Sequence, residues 1–257
     1  MERLKQALER ARAERPTDAD SATVAPLREP PERRAVAREE TVKPTDSEVR
    51  PLHPRLVPAD TERLMANRIV AMADHDPAAT AYKVLRTHVL QRMRANGWKT
   101  LAITSPTQGN GKTVTAINLA ITLARDLKHT ILLVDLDLRR PSMASYFFEH
   151  PVPGVSDYIT DDQPVDQLLI DPGIERLALL PGNHSFTHSS EVLASPKMIE
   201  LVDDLKGRYP DRLVLFDMPP MLGGDDVIAF SPYVDALLLV IEEGKTTADQ
   251  LSEAYML

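Results

Sequence analysis

The stretch Ser105-Pro106-Thr107-Gln108-Gly109-Asn110-Gly111-Lys112-Thr113 decides the fold through what stands on either side of it. Before it runs TLAITS from Thr100, a β-branched and leucine-containing segment, and after it comes VTAINLAITLA, whose spacing predicts a helix from Thr113 to Arg125. Strand, glycine-rich turn and helix in that order form a phosphate-binding loop. Gly109 and Gly111 let backbone N–H groups curl round an oxyanion without side-chain obstruction, and the helix N-terminus adds partial positive charge. Gly109, Asn110, Gly111, Lys112, Thr113 and Val114 are therefore the expected nucleotide-binding residues. Lys112 would reach the β and γ phosphates, and Thr113 would ligate Mg²⁺. Pro106 stands where such loops usually carry their first glycine.

Outward from the loop, apolar runs recur: TILLVD from Thr130, RLALL from Arg176, RLVLFD from Arg212 and ALLLVI from Ala236. Helical segments separate them, including one from Ala78 to about Ala95 that Asn96-Gly97 brings to a stop. Continuous apolar strands with helical crossovers imply an α/β fold, a P-loop NTPase with a mostly parallel sheet flanked by helices on both faces. Two strand exits carry acids. Val134-Asp135-Leu136-Asp137-Leu138-Arg139-Arg140-Pro141 puts Asp135 and Asp137 on one side of an extended backbone, at the carboxyl end of a strand where such sheets bind ligands. Beside a polyphosphate these carboxylates suit a Mg²⁺ shell, or one of them orients an attacking hydroxyl. Leu215-Phe216-Asp217-Met218-Pro219-Pro220 closes another run in the manner of a Walker B motif, with Asp217 holding Mg²⁺ directly or through water.

The 257 residues divide unevenly. Every glycine lies at Gly97 or later and the first aromatic residue is Tyr82, whereas residues 1 to 60 hold eight of the 21 prolines. Such a segment cannot bury enough apolar area to offset its ordering entropy, so residues 16–76 are expected to be a disordered linker and 77–257 the P-loop ATPase or kinase domain. Residues 1–15 differ: Leu4, Ala7, Leu8 and Ala11 share a helical stripe, giving a short amphipathic helix that would dock on a partner or a membrane surface, or remain a frayed solvated helix. Net charge is −8, and twelve cations balance twelve acids in residues 1 to 60, so the deficit lies in the later part. An acidic folded part is a poor partner for nucleic acid. With no cysteine, thiolate metal sites and cysteine nucleophiles are excluded. No stretch nears the roughly 18 apolar residues of a membrane-spanning segment, and the N-terminus has no signal-like apolar region.

The order S-P-T-Q-G-N-G-K-T, L-L-V-D-L-D-L-R-R-P, V-L-F-D-M-P-P resembles the bacterial tyrosine kinases of capsule and exopolysaccharide assembly, relatives of the ParA and MinD ATPases. A-Y-K-V-L-R-T from Ala81, S-S-E-V-L-A-S from Ser189 and S-P-Y-V-D-A-L-L-L-V from Ser231 agree with it, and E-R-L-K-Q-A-L-E-R-A-R at the N-terminus resembles the leader of members linked to exosortase-type loci. The resemblance implies MgATP-dependent autophosphorylation on tyrosine in the cytoplasm, at the inner face of the plasma membrane, by a homo-oligomer under a membrane polysaccharide copolymerase or chain-length regulator. Carried over by position, Lys112, Asp135 and Asp137 are catalytic, Thr113, Asp135 and Asp217 serve the metal, and Arg139 supports phosphate charge or a subunit contact. Three features depart from the family. The six tyrosines (82, 146, 158, 209, 233 and 255) are dispersed instead of clustered at the C-terminus, so the acceptor is unassigned. Thr80, Lys83 and Arg86 replace the ring-assembling Glu, Arg, Arg. The family fold continues by at least a strand and a helix, so the chain is read as truncated at Leu257.

His184 and His188, four residues apart on a loop marked by Pro181-Gly182, are expected to be surface histidines, since a zinc site needs a third ligand. Asp161-Asp162 and Gly223-Gly224-Asp225-Asp226 read as acidic turns, although Asp226 aligns with a family acid. Two further functions compete with the kinase: a ParA- or MinD-like ATPase switch whose acceptor is water, and an ATP-binding scaffold without chemistry.

Overall fold

The computed structural model describes residues 54–257 apart from 74, 75, 127 and 210. The helix expected over 1–15, and the expected linker as far as residue 53, lie outside the described residues.

Strands β1 (Arg55–Leu56), β2 (Thr100–Thr104), β3 (Thr130–Asp135), β4 (Ile170–Asp171), β5 (Leu177–Leu180), β6 (Arg212–Asp217) and β7 (Ala236–Leu239) form one sheet in the order β1-β4-β5-β3-β6-β2-β7. All neighbours pair in parallel except β4 with β5. The helices are α1 (Thr61–Ala66), α2 (Pro77–Asn96), α3 (Lys112–Ala124), α4 (Met143–Phe147), α5 (Val155–Asp161), α6 (Val165–Leu168), α7 (Ser189–Leu193), α8 (Pro196–Gly207), α9 (Asp226–Phe230) and α10 (Ala248–Met256). Local chemistry sets their ends. Asp76 caps α2 ahead of Pro77, and Gly97 closes it in the left-handed region at φ 69°. Ser195 does the same for α8 ahead of Pro196.

Alternation along the central strands builds two cores. Ile131, Leu133, Leu213 and Leu215 pack towards α2 and α3, while Leu132, Val134, Val214 and Phe216 pack towards α8 and α9. Helix α3 is buried almost all round. Ile117, Leu119, Ile121 and Leu123 are no more than 1% exposed, each such burial being worth about 1.5–3 kcal/mol. This packing fixes the helix that carries the phosphate loop. In register, Asp217 lies opposite both Asp135 of β3 and Ile103 of β2, so three strand ends converge on one place.

The expected linker does not extend to 76. Described residues from Pro54 onwards are built into the fold: β1 pairs with β4, and Leu64, Ile69 and Ala71 are core residues at 1–3% exposure. Asn118 of α3, itself buried, holds this strap by accepting hydrogen bonds from the N–H groups of Val70 and Ala71, at 2.8 and 2.9 Å, and donating to the carbonyl of Arg68. Burial of three well-spaced apolar side chains offsets the ordering of the strap, which a composition averaged over 60 residues conceals.

Candidate active site

Loop 105–111 is shaped by two left-handed glycines, Gly109 at φ 83° and Gly111 at φ 84°. Between them Asn110 turns its side-chain carbonyl back onto the N–H and hydroxyl of Thr107, at 3.1 and 2.9 Å, which rigidifies the loop from within. Gly111 is the N-cap of α3 and brings no side chain to it. The first-turn N–H groups, which have no partner within a helix, are thereby left for an anion.

Lys112 extends across this helix end to the acids. Its Nζ lies 2.7 Å from Asp137 Oδ2, 3.5 Å from Asp217 Oδ1 and 3.3 Å from Thr113 Oγ1. The Thr113 hydroxyl donates to Asp217 Oδ2 at 2.6 Å. Asp135 is turned differently. Its Oδ1 accepts from the N–H of Asp137, and its Oδ2 from the N–H groups of Ser142 and Met143, so it braces the segment that carries Asp137. Burial, reinforced by Asp217, pushes the Asp135 carboxyl up to about 7. Burial also raises Asp217, against the pull of Lys112 and Thr113. Lys112 is held above its usual value, because Asp217, Asp137 and Asp135 together outweigh its desolvation.

One ammonium among three carboxylates leaves an excess of negative charge. Asp217 Oδ1 is a buried acceptor with no hydrogen bond. A hard divalent cation, which seeks oxygen ligands, fits the Thr113 hydroxyl with the Asp137 and Asp217 carboxylates, whereas both oxygens of Asp135 are already taken by backbone N–H groups. The residues present therefore suit MgATP.

Two cavities meet at this point. One of about 490 Å³ is lined by Gly109, Gly111, Lys112, Thr113 and Val114, with Asn67, Arg68 and Tyr146 on its far side. The other, of about 320 Å³, is walled by Thr107, Pro219, Pro220, Leu222 and Gly223. Gln108, Asp137 and Arg140 line both. The first carries the phosphate-binding groups, and the second is a more enclosed, more apolar recess that shares Asp137 with it.

The structure brings together Gly109, Asn110, Gly111, Lys112, Thr113, Val114, Asp135, Asp137 and Asp217. It does not bring Arg139 to the phosphate side. The guanidinium is turned away to Gly223, Ser189 and Asp226. Its neighbour Arg140 instead donates to Gln108 Oε1 at 2.5 Å and sits where the cavities join. Sequence reasoning treated the R-R pair through its first member, and which arginine faces the loop depends on a turn that no periodicity encodes. Tyr146 was also missed; burial, then Asp217, raises its phenol. The acidic-turn reading of Asp226 is corrected, since that carboxylate is 2% exposed and ion-paired. The histidine reading fits: the side chain of His188 is 79% exposed and beside Glu191.

A family model described as an AAA domain matches residues 98–251. The putative tyrosine-protein kinase EpsB of Ralstonia nicotianae is 31% identical over 195 residues, 74% of this chain and 24% of that protein. The chain therefore spans about a quarter of that relative's length. Tyrosine-protein kinase YwqD of Bacillus subtilis is 29% identical over 191 residues, covering 74% of this chain and 79% of its own. Among solved structures, the kinase domain of Escherichia coli tyrosine kinase ETK superposes with a TM-score of 0.68 at 25% identity, covering 79% of this chain and 82% of that one.

Proposed function

We propose, for a chain that belongs to the AAA domain family and within it to the bacterial tyrosine kinases, that it transfers the γ-phosphoryl group of MgATP to tyrosine in exopolysaccharide or capsule assembly. The observation that carries this reading is the convergence of Lys112, Thr113, Asp137 and Asp217 at the N-terminus of α3, where the buried Asp217 Oδ1 has the 3.5 Å ion pair to Lys112 and no hydrogen bond.

The triphosphate enters the larger cavity, and the N–H groups of residues 109–114 receive its oxygens. Lys112 exchanges Asp137 for phosphate, which frees the Asp137 carboxylate. That carboxylate then lies between the two cavities, positioned to orient a phenol hydroxyl arriving from the proline-walled side and to take its proton. Thr113 and Asp217, with Asp135 behind them, would hold Mg²⁺, whose charge when bound neutralises that developing on the transferred group. Catalysis is thus positioning and charge compensation. The same reading places the protein at the inner face of the plasma membrane, as a homo-oligomer under a membrane polysaccharide copolymerase. Among the described residues no helix is long and apolar enough to cross a membrane.

Incubation with labelled MgATP, followed by separate measurement of phosphotyrosine and free phosphate, tests the proposal. Phosphotyrosine is expected, and Lys112→Met should lower it at least tenfold, since one such electrostatic contact is worth about 2–4 kcal/mol. Phosphate release without phosphotyrosine would instead identify a nucleotide switch acting on water. Binding with neither product would identify a scaffold.

A further inference from the structure

We propose that Arg139 is a positioning residue, which fixes Asp137 and the proline-walled cavity by tying the segment after β3 to the segment after β6. The proposal rests on the kinase reading for the role of Asp137 and for the phenol that enters the recess.

All three guanidinium nitrogens of Arg139 are engaged. Nε donates to Ser189 Oγ at 3.0 Å, Nη1 to the carbonyl of Gly223 at 2.9 Å, and Nη2 lies 2.8 Å from Asp226 Oδ2 and 3.8 Å from Asp225 Oδ1. Ser189 and Asp226 are buried, and the Ser189 hydroxyl donates to the other Asp226 oxygen, so both carboxylate oxygens have partners. The contact joins three elements: the β3 exit, the start of α7 and the turn into α9. Gly224 shows how closely the parts fit. A Cβ there would stand 2.3 Å from Arg139 Nη2, and since its φ of 166° is ordinary extended backbone, glycine serves here for space.

This clamp lies two residues beyond Asp137, and its far end, Gly223, is in the wall that Pro219, Pro220 and Leu222 extend. Two loops leaving different strands are thereby held at a fixed separation across the recess that a phenol must enter. To reach a phosphate, Arg139 would have to abandon three acceptors and leave the buried Asp226 carboxylate uncompensated. Lysine cannot replace it, because an ammonium on a flexible stem does not match three acceptors arranged around a planar fork.

The test compares Arg139→Ala, Arg139→Lys, Asp226→Asn, the Arg139→Ala/Asp226→Asn double variant and Gly224→Ala, which displaces the guanidinium without altering a charge. Turnover of MgATP and the Kd for fluorescent methylanthraniloyl-ATP with Mg²⁺ are measured on each. Arg139→Ala and Asp226→Asn should each lower kcat by about tenfold or more while Kd stays within about threefold, as expected for a misplaced reacting group. The double variant should lose about as much as either single one, because the two residues act as one unit. Arg139→Lys should fail to rescue, and Gly224→Ala should reproduce the defect if Asp226→Asn does not fold. Unchanged kcat in Arg139→Ala, or a tenfold rise in Kd confined to the Arg139 variants, overturns the proposal. If the wild type releases phosphate without phosphotyrosine, the kinase reading fails and the clamp is judged on phosphate release. If it turns over nothing, hydrogen exchange decides: segments 137–142 and 222–226 should both exchange faster in Arg139→Ala, and no change overturns the clamp.

Discussion

At the residue scale the site is governed by a shortage of positive charge. Asp135 has a buried carboxyl that titrates near 7, well above the roughly 3.9 of an unfolded aspartate. Between about pH 4 and 7 the folded protein therefore holds a proton that the unfolded chain releases, so this group's contribution to stability falls as pH rises through that window and is level above it. Thermal unfolding of the nucleotide-free protein should accordingly give a lower Tm at pH 7.5 than at pH 5.5, and Asp135→Asn should flatten the difference. A slope as steep in the variant would assign the titration elsewhere. Arg140 supplies a second prediction. It has no carboxylate partner among the described residues and lies at the junction of the cavities, so Arg140→Ala should raise the KM for MgATP about tenfold, the worth of one charge-assisted hydrogen bond. An unchanged KM would leave Arg140 a bystander. The acids and the lysine were legible in the sequence because strand-end aspartates beside a glycine-rich turn have few other uses. The division of labour between Arg139 and Arg140 was not, because it depends on partners 32, 50 and 84 residues distant in the chain.

At the element scale, helix α3 organises what surrounds it. Its N-terminus presents the loop, its apolar faces enter the core, and Asn118 reaches the strap that lines the far side of the larger cavity. Asn118 also donates to the carbonyl of Val114 at 2.8 Å, so its amide is engaged through both of its ends. Asn118→Ala strands the Val70 and Ala71 N–H groups, and each buried orphan costs about 1–3 kcal/mol. Urea unfolding should therefore show a loss of about 2–6 kcal/mol. A linker merely lying against the surface would give no loss, and that result would detach the strap from the fold. Sequence periodicity located β2, β3, β5, β6, β7, α2 and α3 because their apolar runs are long or closely framed by turn residues. It missed β1 and α1, which are two and six residues long and are held by partners from β4, α3 and the core. Tertiary contacts made them, and local pattern could not show it.

At the scale of the molecule, the ligand cavity is assembled from segments far apart in sequence: the strap at 66–68, the loop at 108–114 and the exit of β3 with α4, at 137–146. The two-core sheet keeps those strand ends in register, so one ligand that bridges them should couple them all. MgATP at one hundred times its Kd adds about 2.7 kcal/mol to stability, through its preference for the folded state. Hydrogen exchange should register that gain unevenly. Protection should appear at 66–68, 108–114 and 137–146, while α5 and α6, which do not line the cavity, should exchange as in the free protein once global unfolding is allowed for. Lys112→Met should remove the protection at all three segments together. Protection confined to the loop would mean that the strap and the β3 exit fold beside the nucleotide without holding it, and the cavity would then extend only as far as α3.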